Sequence, residues 1–185
     1  KLEKIQDLLA IINKTSLKRN DKSYLIGGVI RDVILSIEPN DIDIAIEGDA
    51  ISFGEEILLN CEGKKIKHSS QFKTFTFSVN NLIVDLNSCR KELYAYPGSL
   101  PTIEFSNIYH DIKRRDFTMN CMALEINLKE GNELLDPLNG YEDVCNKNIR
   151  AVRENIFIED STRIIRALRY SGSLGFNIEE DTSDH

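Results

Sequence analysis

The stretch from Tyr24 to Ala45 limits what this 185-residue chain can fold into more than any other. It begins Tyr-Leu-Ile-Gly-Gly-Val-Ile-Arg-Asp, and nine residues after Asp32 comes Asp41-Ile-Asp43-Ile-Ala-Ile46. The apolar run before Gly27 suits a buried strand, Gly27-Gly28 breaks it, and Val29 to Ser36 reads as a helix. From Asp41 polar and apolar residues alternate, so a strand places Asp41 and Asp43 on one face, about 6.6–6.8 Å apart. Two carboxylates on one face repel each other and lose solvation unless something positive lies between them. A divalent cation fits, and hard oxygen ligands favour Mg²⁺. The glycines, lacking Cβ, let the backbone approach a ligand closely, and the helix N-terminus that follows favours anionic oxygens. Gly-Gly alone is most often a turn and Asp-x-Asp alone a solvated strand end. Their order along the chain carries the signal.

That order resembles the nucleotidyltransferase superfamily, and within it the class of tRNA CCA-adding enzymes and bacterial poly(A) polymerases. Gly27, Gly28, Arg31, Asp32, Asp41 and Asp43 match every position of that class's Gly-Gly-x-x-Arg-Asp…Asp-x-Asp element. The resemblance implies that Asp41 and Asp43 bind two Mg²⁺ ions, that Gly27, Gly28 and Arg31 cradle a triphosphate, and that Asp32 braces the turn. Asp85 lies in the apolar run Leu82 to Leu86, ahead of Arg90-Lys91-Glu92, where the family has a third metal carboxylate. Lys113-Arg114-Arg115-Asp116-Phe117-Thr118-Met119-Asn120 resembles the family's Arg-Arg-Asp-Phe-Thr-x-Asn element. Arg114, Arg115 and Asp116, with Asn120 in the same element, are thereby implied at the nucleotide's sugar and phosphates. Glu159-Asp160-Ser161-Thr162-Arg163 resembles the Glu-Asp-x-x-Arg element, in which aspartate and arginine read the base edge and glutamate steadies the arginine. Arg166 and Arg169 continue a basic face that reaches phosphate or is simply surface charge.

The expected fold is α/β (α+β). A head with a small mixed sheet and flanking helices spans 1–145, and an all-helical neck begins over 146–185. Residues 1–14 have an amphipathic helical pattern, Gly48-Asp49 can cap a helix to about Cys61, and Lys64–Ser69, Phe72–Val79 and Leu82–Leu86 read as strands. Asn80-Asn81 suits a two-residue hairpin turn. Ser88 to His110, with Pro97, Gly98 and Pro101, reads as a long functional loop, the family's counterpart of which helps switch nucleotide choice. Asp136-Pro137 through Gly140 reads as a structural turn before a short helix, Tyr141 to Cys145. Beyond Val152 the pattern is helical. Ile156, Phe157, Ile164, Ile165, Leu168 and Leu174 form an apolar stripe, with Glu159, Asp160 and Arg163 on adjacent turns of the same helix.

Cys61, Cys89, Cys121 and Cys145 stand far apart with no C-x-x-C pair, which fits reduced, mostly buried thiols in a cytoplasmic setting and no zinc site. No stretch suggests a membrane span or signal peptide. The formal net charge of −7 disfavours indiscriminate nucleic-acid binding and leaves only local basic surfaces for RNA. The first residue is Lys, and the resemblance runs to about Phe176, so the chain reads as a trimmed head without the family's helical body and tail. The implied activity is template-independent addition of C and/or A from CTP and ATP to the 3′ end of tRNA. Three alternatives stand beside it: a poly(A) polymerase, a nucleotide-binding fragment without turnover, and transfer to a small molecule or protein.

Overall fold

The computed structural model describes residues 2–39, 41–127 and 133–184, without the side chains of residues 2–4. His185, at the end of the expected neck, lies outside the described residues. The chain opens with α1 (Leu2–Arg19), β1 (Lys22–Ile26), α2 (Gly28–Ile34), β2 (Asp41–Glu47) and α3 (Ala50–Leu58). A meander follows, β3 (Gly63–Ser69), β4 (Thr74–Val79) and β5 (Leu82–Ser88), then a hairpin, β6 (Arg90–Leu93) and β7 (Thr102–Phe105). Next come α4 (Ile108–Lys113), β8 (Ala123–Glu125), β9 (Leu134–Leu135), α5 (Gly140–Cys145), β10 (Asn148–Ile149), α6 (Ile156–Glu159), α7 (Thr162–Leu174) and β11 (Asn177–Ile178). The main sheet runs β3-β4-β5-β2-β1-β8-β9. Only β2 and β5 pair in parallel within it, so the expected mixed sheet with flanking helices is present.

The alternation in β2 splits the two faces. Ile42, Ile44 and Ile46 join Phe75, Phe77, Val84 and Leu86 beneath α1 and α3, where Leu8, Ile12, Phe53 and Ile57 are fully buried. Each such side chain contributes roughly 1.5–3 kcal/mol by leaving water. A Cβ on Gly54 would stand 2.3 Å from the Phe75 ring, so only a glycine lets α3 lie this close to the sheet. On the opposite face Tyr24, Ile26 and Ala45 pack under Ile108 and Ile112 of α4. A third cluster joins Val29 and Ile30 of α2 to Phe117, Val144, Ile149, Ile156 and Ala167. Asn80 and Asn81 both take left-handed φ angles, 52° and 66°, as a tight hairpin turn requires.

Several sequence expectations are corrected. Ser88 to His110 is not a structureless loop, because it contains β6, β7 and the start of α4. The inward residues of β6 are Arg90 and Glu92, so no apolar alternation marks it. Glu159, Asp160 and Arg163 do not share one helix. Asp160 is extended (φ −147°, ψ 99°) and separates α6 from α7, its Oδ1 accepting from the Thr162 N–H and hydroxyl. A short acid that satisfies nearby backbone in this way competes with helix continuation. The apolar stripe is not buried as a stripe either: Ile165 and Leu168 are 67 % and 58 % exposed, and α7 buries Arg163 and Ala167 instead. Lys73 at φ 53° delays β4 to Thr74, and Ser36 at φ 56° lies beyond the end of α2. All four cysteines are free, with Cys145 exposed, and no helix among the described residues is long and apolar enough to cross a membrane.

Candidate nucleotide-transfer site

A cleft of about 960 Å³ opens between the start of α2, the outer half of β2, the β6–β7 hairpin and the α6–α7 junction. Asp41 and Asp43 form its acidic corner. Asp85 pairs with Asp43 in register across β2 and β5, so both point to the same face, and Asp85 also accepts the Thr76 hydroxyl. Burial raises the Asp43 carboxyl above its ordinary range. Arg115 opposes that rise, and Asp85 and Asp41 add to it. Asp43 accepts no hydrogen bond among the described residues, so its charge is left for an outside cation.

Among the described residues no three acidic, histidine or cysteine side chains converge closely enough to enclose a metal ion. Two carboxylates at one corner can serve a divalent cation that takes its remaining oxygen ligands from substrate phosphates and water. Gly27, at φ 79° and ψ −136°, closes the corner. A Cβ there would lie 3.4 Å from Arg115 Nη1 and 3.6 Å from Asp43 Oδ2. Gly27→Ala is expected to cost about 1–3 kcal/mol through backbone strain alone, read as a lowered Tm, and to weaken nucleotide binding by filling the corner.

The opposite wall is cationic. Arg31 is 8 % exposed and donates to Asp32 Oδ1 through Nε (2.9 Å) and Nη2 (2.7 Å), and to Asn120 Oδ1 through Nη1 (2.7 Å). The Asp32 side chain therefore holds the arginine, while the expected brace on the turn has no hydrogen bond from it among the described residues. Asn120 lies behind Arg31 and not on the cleft wall, and its buried Nδ2 has no partner. The guanidinium carbons of Arg31, Arg166 and Arg169 stand 5.3, 5.5 and 5.1 Å from the Tyr170 ring centroid. The negative ring face offsets part of the repulsion among three like charges. Arg166 also donates to Asp116 Oδ2 at 2.6 Å, while Asp116 Oδ1 accepts the Phe117 N–H. Tyr170 gave no sequence signal, since an aromatic at helical spacing reads as core.

Asp111 was also missed. It is completely buried, with Oδ1 accepting Arg114 Nε at 2.9 Å and Oδ2 accepting Arg115 Nε and Nη2 at 3.2 and 3.0 Å. Burial alone would push this carboxyl up, but Arg115 and Arg114 outweigh it and hold it below the usual range. Glu92 repeats the pattern: it accepts from Arg90, Arg114 and Tyr94, and the two arginines overcome the effect of burial. Spacings of three and four from Asp111 to Arg114 and Arg115 were the legible hint.

At the remaining rim Arg163 is 6 % exposed and donates to Glu159 Oε2 (3.2 Å), the Ile156 carbonyl (3.2 Å) and the Arg114 carbonyl (3.3 Å). Its Nε stands 4.0 Å from Asp160 Oδ2, so Asp160 keeps one carboxylate oxygen without a close donor, facing the cleft. Glu159 is shared with Arg153. Gly28, Arg31, Asp32, Asp41, Asp43, Arg114, Arg115, Asp116, Glu159, Asp160, Arg163, Arg166 and Arg169 thus share one cleft, with Gly27 and Asp85 beside Asp43 and Asn120 hydrogen-bonded to Arg31.

Residues 23–150 match the poly A polymerase head domain. An A-adding tRNA nucleotidyltransferase from Halalkalibacterium halodurans is 36 % identical over 178 residues, covering 96 % of this chain and 42 % of the relative. A solved CCA-adding enzyme in an apo form superimposes with a TM-score of 0.87 at 38 % identity, covering 98 % of this chain and 43 % of that one. A tRNA nucleotidyltransferase complexed with a primer tRNA and an incoming ATP analog gives a TM-score of 0.80 at 31 % identity, covering 94 % of this chain and 48 % of that one. The chain therefore spans less than half the length of the relatives it matches.

Proposed function

Since the chain belongs to the poly A polymerase head-domain family, we propose that it is the catalytic part of a cytoplasmic tRNA nucleotidyltransferase adding C and/or A from CTP and ATP to the 3′ end of tRNA. The observation that carries this reading is the meeting, in one cleft, of the Asp41/Asp43 corner, the arginines around Tyr170 and the Asp160/Arg163 pair. In this reading 1–145 is the catalytic head and 146–185 begins the neck.

The reaction joins the RNA 3′ oxygen to the α-phosphorus, breaks the bond to pyrophosphate and removes the hydroxyl proton. Two Mg²⁺ ions, when bound, supply Lewis acidity that aligns the hydroxyl and neutralises charge building on the phosphate oxygens. Asp41 and Asp43 would hold them, with Asp85, in register beside Asp43, as the third candidate carboxylate. Arg31 and Arg166 face the triphosphate, for which a planar guanidinium is the better ligand because it binds phosphate bidentately and stays charged. Arg114, Arg115 and Asp116 hold the sugar end. The free Asp160 oxygen accepts from the exocyclic amine that C and A share, and Arg163 donates to ring nitrogen or carbonyl oxygen. Guanine and uracil carry a carbonyl oxygen where adenine and cytosine carry that amine, so the same pair meets an acceptor where Asp160 needs a donor.

Incubation with tRNA lacking its CCA end, Mg²⁺, and CTP and ATP singly and together tests the reading. Incorporation limited to C and A supports it, long A tails from ATP alone move the assignment to poly(A) synthesis, and no incorporation overturns it. Arg163→Ala is expected to reduce discrimination against GTP and UTP about tenfold or more while changing triphosphate affinity less, one lost base contact being worth about 1–3 kcal/mol. Unchanged base preference would return Arg163 to a structural role.

A further inference from the structure

We propose that the face of the outer sheet turned away from α1 and α3, from Asp43 across β5 and β4 to the exposed Lys64 and Lys67 on β3, is the track that carries the 3′-terminal single strand of the acceptor RNA. The proposal rests on the nucleotide-transfer reading of the cleft and adds the path of the second substrate. Strand register brings the track into being. Asp43 pairs with Asp85, Asp85 with Thr76, and Thr76 with Lys67, so these four side chains form one row across β2-β5-β4-β3 on the same face, with Thr76 buried between its neighbours and its hydroxyl given to Asp85. The neighbouring row ends at Lys64, opposite Ser78. Three strand spacings of about 4.7–4.9 Å put Lys67 roughly 14–15 Å from Asp43.

The other face of these strands carries the apolar core under α1 and α3. Under α4 this face carries the apolar Tyr24, Ile26 and Ala45, and from Asp43 outward it is polar apart from the half-buried Ile83, which lies between Asp41 and Ser78 in the row that ends at Lys64. It is thus continuous with the cleft, acidic at the reacting end and basic at the outer end. In a chain of net charge −7 such a basic end has to be local to attract phosphate. Lysines also guard sheet edges against pairing with other chains. The bulge between Lys65 and Lys67 separates the two roles. Lys65 faces the core side, 5.1 Å above the Phe75 ring and 3.5 Å from Glu55. Lys64 and Lys67 are exposed on the open face and make no ion pair among the described residues.

The test is fluorescence anisotropy with a labelled single-stranded RNA ending in CC, over a salt series. Each single-strand phosphate contact contributes about 0.7 to the slope of log affinity against log salt. The Lys64→Gln, Lys67→Gln pair is expected to lower that slope by about 1.4, and Lys64→Glu, Lys67→Glu to weaken low-salt binding about tenfold or more. Lys65→Glu, on the same strand but the opposite face, is the control and should leave both unchanged. An equal effect of Lys65→Glu, or an unaltered slope in the Gln pair, overturns the track. CTP and ATP affinity and nucleotide incorporation are measured in parallel. Loss of the RNA pattern with incorporation intact removes the track alone, whereas a wild-type chain that binds RNA in this pattern but never incorporates C or A removes the nucleotide-transfer reading alone.

Discussion

Asp43→Asn is expected to lower nucleotide incorporation by about three orders of magnitude or more, equivalent to about 4 kcal/mol of transition-state stabilisation. The fold should survive, and in metal-free buffer its Tm should hold or rise. The reason is the charge crowding at the corner. The folded state raises this carboxyl, first through burial and then through Asp85 and Asp41, against the pull of Arg115. A raised carboxyl makes the folded protein lose stability as pH climbs through its titration, since the unfolded chain ionises more readily. Neutral Asn removes that loss, so the variant should show a flatter Tm profile above the carboxylate range. Mg²⁺ should stabilise the wild type and not the variant, because only binding to the folded state shifts Tm. Full activity in Asp43→Asn would remove the acidic corner from the mechanism.

The largest effect on stability is expected at Asp111. Replacing it by Asn leaves the partly buried Arg115 without its hydrogen-bonded carboxylate and Arg114 with Glu92 alone, a loss of about 3–5 kcal/mol. For a chain of this size that is a Tm decrease of roughly 10 °C or more. Asp111 is held below the usual carboxylate range once its arginines outweigh burial, so its contribution is complete above the unfolded carboxylate pKa and lost as pH falls through the lower folded value. Acid unfolding should therefore begin at higher pH in a double variant lacking Asp111 and Arg115 than in wild type, yet that double variant should lose less than the two single changes together. A neutral effect of Asp111→Asn would mean that the arginines are satisfied by Glu92 and solvent.

Much of this arrangement was legible in the residue order. Alternation in β2 predicted the shared face of Asp41 and Asp43, and the paired asparagines predicted the β4–β5 turn, because each depends on local geometry alone. Asp85 was legible as a ligand candidate from its place in an apolar run, but the Thr76 hydroxyl that occupies it depends on strand pairing. The β6 strand was hidden because its inward face carries Arg90 and Glu92, a charged pairing that apolar periodicity cannot detect. The break at Asp160 was hidden for a related reason: the helical period continues across it, while one side chain caps its own neighbour. Ile165 and Leu168 misled because an apolar residue at helical spacing need not face inward when the inner face is taken by a buried arginine.

Arg163 donates to the Arg114 main-chain oxygen, and the helix bearing it shares an apolar cluster with the helix that follows Gly28. The parts expected to recognise base, sugar and phosphate therefore do not swivel independently. Close-packed interiors shift between discrete arrangements rather than deforming smoothly. A change of preferred nucleotide in this protein would come from side chains repositioned within a common frame, and substitutions far out on α7 should register at the phosphate end.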